Sequence, residues 1–430
     1  MAELQAGYAR TDITPPLTIP YLGFVPRQAY FEGIHDPLYA RALALETEDC
    51  AALVIVADAI GFDDRILGEG RHFTSEVRSR VADRTGVPAA QVMLACTHAH
   101  STPETIHFRR LLDHPGAACW LDTLLDQLAS AAKMAWRARR PRELRVGSIE
   151  VSGLSHPRRA PLRARALGIS EAQAVADYPL DRRARVLLLT DAERDSHIVV
   201  AHYACHPVTV QVQPLVSADF PGVALQLVTE AIPGCEGALF LQGCDGDVNP
   251  PKVTTRFADV MRYGLMLGGA VLEAVGALLD RDLPPSEPVL RVTRELLHLP
   301  SREVPSPKEL GEEPSDPGER RMWEEQRVRV SWGHGPVPVE VQALRLGEAA
   351  IVGVGGEPFM ALNLALQEES PAATTLVVGY ANGYAGYLAP PEAWAEGGYE
   401  VGLGPWSQVG PQGWEPLVAA GKRLLGSLWP

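Results

Sequence analysis

Four times along this chain an apolar, strand-like run stops and polar or chelating residues follow at once. The segments are Val92-Met-Leu-Ala-Cys-Thr-His98-Ala-His100-Ser, Val199-Val-Ala-His202-Tyr-Ala-Cys-His206-Pro, Ala350-Ile-Val-Gly-Val-Gly-Gly-Glu357-Pro and Leu376-Val-Val-Gly-Tyr-Ala-Asn-Gly-Tyr384-Ala-Gly-Tyr387. This layout constrains the fold strongly. Buried strands with helical segments between them indicate an α/β protein. In such proteins rigid strand ends bring short loops together, so chelators far apart in sequence can converge.

The remaining pattern agrees. Ala52–Ala57, Gln91–Cys96, Arg185–Leu189, Ile198–Ala204, Ala238–Leu241, Val337–Leu346, Ala350–Val354 and Thr375–Gly379 read as strands. Phe73–Arg84, Trp120–Arg137, Met261–Leu279 and Trp414–Leu428 read as helices. Leu121, Leu124, Leu125 and Leu128 share one face of the second. No internal repeat is visible, and no boundary divides the chain, so residues 1–430 are expected to form one domain. The Pro-, Glu- and Ser-rich stretch from about 299 to 323 is expected to be an exposed insertion.

Each chelating segment has a bland alternative. His98 and His100 would share a face of an extended chain, as metal ligands or as a hydrogen-bonded pair at a strand end. His202 and His206 are four apart, but Tyr203 stands where a zinc-protease helix has Glu. The strand reading makes His206 the better ligand candidate and packs His202 inside. Glu357 is costly to bury unless paired or metal-bound, or it favours the start of the following helix. Tyr384 and Tyr387 sit in a Gly- and Asn-rich loop, where aromatics usually pack. The loop Gln242-Gly-Cys-Asp245-Gly-Asp247-Val-Asn249-Pro suits substrate or a second cation, but Asp245 reads better as a turn former.

Several classes are excluded. No GxSxG elbow, Walker loop or dinucleotide fingerprint occurs. The formal charge of −14 argues against nucleic acid and anionic membranes. The longest apolar run, Leu265–Leu279, contains Glu273 and is too short to span a bilayer, so no stable membrane insertion is expected. The six scattered cysteines form no CxxC, and the N-terminus shows no basic stretch followed by an apolar run. A reducing, cytoplasmic setting is expected.

Taken in order, the motifs resemble the neutral and alkaline (non-lysosomal) ceramidase family. They run from Gly7-Tyr-Ala-Arg-Thr-Asp-Ile-Thr-Pro-Pro16 and Gly33-Ile-His-Asp-Pro-Leu-Tyr-Ala-Arg41 through Thr97-His-Ala-His-Ser101, His206-Pro207, Ser217-Ala-Asp-Phe-Pro-Gly222 and Gly246-Asp-Val-Asn-Pro250. They end with Gly356-Glu-Pro358, Asn382-Gly-Tyr-Ala-Gly-Tyr387 and Tyr399-Glu400. The resemblance implies a layered sandwich of two mixed β-sheets flanked by helices. It also implies one Zn²⁺ held by His98, His206, Glu357 and Tyr387, with His100, Arg158 and Tyr399 as catalytic residues. Arg159 is the alternative to Arg158.

The implied activity is zinc-dependent hydrolysis of an amide bond in a small N-acyl, sphingolipid-like substrate, an activity of lipid metabolism. Hydrolysis of an ester or another small polar compound on the same scaffold is the alternative, and a non-enzymatic protein with a structural metal the third. The sequence departs from the family at Asn249, where Ser is common. Neither the family's immunoglobulin-like C-terminal domain, nor its secretion signal, nor an apolar lip for a membrane lipid is expected here.

Overall fold

The computed structural model describes residues 3–21, 30–108, 111–280 and 282–429. Its framework is a unit used three times. Each unit has an antiparallel run of three strands, a helix, a fourth strand parallel to the third, and a second helix. The first comprises strands Gln5–Asp12, Tyr39–Glu46 and Ala51–Ala57, helix Phe73–Thr85, strand Val92–Cys96 and helix Ala117–Arg137. The second comprises Glu143–Glu150, Arg183–Asp191, Ser196–Tyr203, Asp219–Ala231, Cys235–Gln242 and Phe257–Leu278. The third comprises Leu290–Leu299, Val337–Leu346, Ala349–Val354, Met360–Glu368, Thr374–Val378 and Trp414–Leu428. The strands of each unit are ordered fourth, third, second, first, and in the first sheet Arg140–Pro141 adds a short fifth strand beside the first.

Among the described residues there are thus three main mixed sheets where the resemblance implied two. The repeat is topological. Connections of different length interrupt it, which is why no sequence period shows.

Strand alternation explains how the sheets pack. Val54, Val56, Ile198, Val200, Leu239, Leu241, Ile351, Leu376 and Val378 all enter one central cluster shared by the three sheets. Their neighbours along the same strands face outward onto helices: Leu53 and Ile55 in the first unit, Val199 and Phe240 in the second, Val352 and Val377 in the third. A strand buried on both faces reads as a continuous apolar run, and period two then divides it between two cores.

The helix Phe257–Leu278 is longer than its sequence pattern indicated, and by length and composition alone it would suffice to cross a membrane. One face, with Tyr263, Leu267, Val271 and Val275, closes the outer core of the second sheet. The stretch 299–323 also differs from a plain loop. Helix Pro317–Ser331 starts within it, capped by the Asp316 carboxylate, which accepts from Gly318 N–H at 2.9 Å and Glu319 N–H at 3.0 Å.

The strand directions fix where chemistry can sit. The first, third and fourth strands of every unit run the same way, so their carboxyl ends emerge together. The connections that follow the first, third and fourth strands leave from that end.

Candidate metal centre and cavity

The carboxyl ends of the parallel pairs deliver the expected chelators to one place. His98 follows the fourth strand of the first unit, His206 the third strand of the second, and Glu357 the third strand of the third. Tyr387 joins them because residues 357–358 and 387–388 pair as a short parallel ladder, with Glu357 opposite Tyr387.

The two buried histidines carry the argument for a cation. His98 Nδ1–H donates to the Ile60 carbonyl at 2.5 Å, and His206 Nδ1–H donates to the Asp245 carbonyl at 3.0 Å. Each ring is therefore held with its Nε2 lone pair free. Those two Nε2 atoms face each other at 2.8 Å. Burial pushes His98 down to about 3 and His206 well below the usual histidine range, so both are neutral. Two facing lone pairs repel unless a cation lies between them.

Glu357 Oε2 supplies the negative charge. It lies 3.6 Å from His98 Nε2 and 3.9 Å from His206 Nε2 and has no hydrogen-bond partner. Burial raises this carboxyl to about 7, so leaving it unpaired is unfavourable. Backbone carbonyls orienting buried imidazoles, with an orphaned carboxylate beside them, form an arrangement that could hold a divalent metal. His98, His100 and His206 bring their ring nitrogens within 4.8 Å of one another, and His100 Nε2 is 3.2 Å from His98 Nε2.

His98 does not lie on an extended chain as the spacing suggested. Its φ is +64°, a left-handed conformation that costs a non-glycine residue free energy. The chain is held there by Thr97 N–H to the Ala57 carbonyl and His98 N–H to the Ala59 carbonyl, both 2.9 Å. Tyr380, leaving the fourth strand of the third unit, is also left-handed at φ +54°, and its ring stacks on His98 at 3.8 Å.

A cavity of about 350 Å³ opens over this cluster. His100, Arg158 and Tyr399 all line it, together with His206, Glu357 and Tyr387. Arg158 NH2 donates to the Tyr387 hydroxyl at 2.9 Å and to the Gly246 carbonyl at 2.7 Å, while its Nε is 3.0 Å from Glu400. Burial works against its charge, but Tyr387 and Glu400 outweigh that and hold the guanidinium ionised. Arg159 is turned away. It is bonded to Glu400, Glu396 and the Gly397 carbonyl. Burial keeps the Tyr387 phenol protonated, with Arg158 opposing and Glu357 adding to the effect.

Three residues here escaped the sequence reading. Asp245, taken as a turn former, is fully buried. Its Oδ1 accepts from the Tyr380 hydroxyl at 2.6 Å, and its Oδ2 lies 3.4 Å from His206 Nδ1. Tyr384 donates its hydroxyl to Glu357 Oε1. Tyr380 thus touches the His98 ring and Asp245, the residue that supports His206. Only the density of tyrosines after Val378 hinted at this. His202 stays inside its strand as expected, with Nε2 bonded to the Val377 carbonyl at 2.9 Å.

No protein-family pattern and no curated protein sequence matches this chain. Its structure is similar to solved ones. It superposes on the neutral ceramidase of Pseudomonas aeruginosa with a TM-score of 0.76 at 19% identity, covering 99% of this chain and 75% of that one. It superposes on a ceramidase complexed with C2 with a TM-score of 0.77 at 17% identity, covering 100% of this chain and 75% of that one. The chain has the fold of these ceramidases.

Proposed function

We propose that this chain is a zinc-dependent hydrolase of an amide bond in an N-acyl substrate. The observation that carries the reading is the pair of neutral, buried imidazoles whose Nε2 atoms face each other at 2.8 Å beside the unpartnered Glu357 Oε2. His98, His206 and Glu357 would hold the ion, with Tyr387 as fourth ligand. Bound zinc supplies Lewis acidity and a water acidic enough to act as hydroxide near neutral pH. The fold shared with the two ceramidase structures supports the choice of an amide bond.

The residues of the cavity wall have distinct tasks in this proposal. Water adds to the amide carbonyl, the C–N bond breaks, and the products are a carboxylic acid and an amine. His100 and Arg158 stabilise the charge that grows on the carbonyl oxygen. Arg158 suits this because Tyr387, Glu400 and the Gly246 carbonyl fix its guanidinium. Tyr399, at the cavity mouth, donates a proton toward the departing nitrogen. A cytoplasmic setting belongs to the proposal, in keeping with six free cysteines.

The test is zinc content by elemental analysis of the wild type and His98→Ala, with hydrolysis of a panel of N-acyl amides and esters. About one zinc per chain, lost together with amide hydrolysis in the variant, is the expected result. Zinc binding that survives His98→Ala overturns the ligand assignment. Turnover of esters alone overturns the choice of bond.

A further inference from the structure

The cavity lining is of two unlike kinds. One wall is apolar: Ile60, Ile106, Phe108 and Trp406 line it and are all buried. Its parts hold one another. The Phe108 ring lies 6.0 Å from Trp406 and 6.3 Å from Tyr384, and Trp406 stacks on Tyr399 at 4.4 Å. Elsewhere the lining is polar, with Gln211, Asn249 and Thr254 beside Val208 and Val253. Gln211 Nε2 donates to Thr254 Oγ1 at 2.8 Å, and Asn249 Oδ1 is buried without a hydrogen-bond partner. The strongly exposed side chains among the apolar and aromatic lining are Val253 at 39% and Tyr399 at 36%, which marks the mouth.

The volume then limits what fits. About 350 Å³ lies at the small end of the roughly 300–1,000 Å³ range of small-molecule sites. Part of it belongs to the scissile amide, and the polar wall takes a hydrogen-bonding group. What remains along Ile60, Ile106, Phe108 and Trp406 accommodates a short hydrocarbon arm.

We propose that the substrate is a short-chain N-acyl derivative of a polar amine, with the acyl arm against the Ile106–Phe108–Trp406 wall and the amine facing Gln211 and Asn249, and that two-tailed membrane lipids are poor substrates. This inference rests on the amidohydrolase reading and deepens it. Each methylene that enters the apolar wall adds binding, and one that no longer fits adds none.

The experiment is a chain-length series on the zinc-loaded enzyme. One hydroxylated amine carries acetyl, butanoyl, hexanoyl, octanoyl, dodecanoyl or palmitoyl groups, beside a long-chain ceramide in mixed micelles. We expect kcat/KM to rise by about fourfold per methylene through the short members and to stop rising before dodecanoyl. Phe108→Ala, and separately Ile106→Ala, then move the best substrate to a longer chain. A palmitoyl amide or the ceramide turning over tenfold faster than octanoyl overturns the inference but leaves the amidohydrolase reading intact. An unchanged chain-length optimum in both soluble, zinc-loaded variants removes the acyl assignment of this wall. If no amide in the series is cleaved by the zinc-loaded protein, both readings fail.

Discussion

The two ends of the three sheets are built to opposite plans. At one end the second and third strands of each unit are joined by the short turns 47–50, 192–195 and 347–348. At the other end the chain makes its long excursions, 13–38, 151–182 and 300–336 after the first strands, and 97–116, 243–256 and 379–413 after the fourth. The turn end needs only to reverse direction. The excursion end carries every candidate ligand, the residues His98 and Tyr380 at positive φ, and the unpartnered oxygens of Glu357 and Asp245. Strain and unsatisfied charge are concentrated where a ligand would repay them, while the apolar core between the sheets supplies the stability.

That contrast separates two kinds of mutational effect. His206→Ala should abolish zinc retention and lower kcat/KM by roughly 10⁴-fold, because one lone pair of the facing pair is removed. The metal-free variant should melt no lower than the metal-free wild type. Elemental analysis, kinetics and calorimetry of chelated samples check this, and a large fall in melting temperature without metal would show that the site end also bears the fold.

The reverse is expected for Leu241→Ala, in the core shared by the three sheets. It should cost about 2–5 kcal/mol by denaturant unfolding while leaving KM and zinc stoichiometry unchanged. Tyr384→Phe should have an intermediate effect. It deletes the hydroxyl that holds Glu357 Oε1 and should weaken zinc binding by roughly 10–100-fold in a chelator competition assay, with little change in unfolding free energy. Unchanged zinc affinity would mean that Glu357 is oriented by its backbone alone.

The same contrast explains what the sequence made legible. Buried strands such as Ala51–Ala57 announce themselves, because an apolar run of that length has few other uses. The ligand candidates stood out for the converse reason: His98, His206 and Glu357 follow such runs directly, where polar groups are expensive. The helix within the 299–323 stretch was signalled by Asp316-Pro317 but was masked by a composition read as loop. The threefold repeat was hidden because each unit conserves only strand direction and core periodicity, which many sequences satisfy. Asp245 and Tyr380 were illegible for a different reason. Their roles depend on contacts between separate units, 135 residues apart in the chain, and no local pattern encodes such a pairing.

The smallest effect we expect separates the excursions from the metal centre itself. Asp219 begins the helix Asp219–Ala231 at φ +52° and is fully buried. Its oxygens accept from Phe220 N–H at 2.6 Å and Val210 N–H at 3.3 Å, tying down the segment that carries Val208 and Gln211 to the cavity. Burial raises its carboxyl from 3.8 to about 6, although these backbone donors oppose the shift. The folded state therefore binds this proton more tightly than the unfolded chain does. Between about pH 4 and pH 6 the folded form carries the larger share of protons, so this group's contribution to stability falls as pH rises through that window and is constant above it. Compared with Asp219→Asn, wild type should lose melting temperature progressively from pH 4.5 to about pH 6 and run parallel to the variant at higher pH. Parallel curves over the whole range would show that Asp219 is ionised throughout.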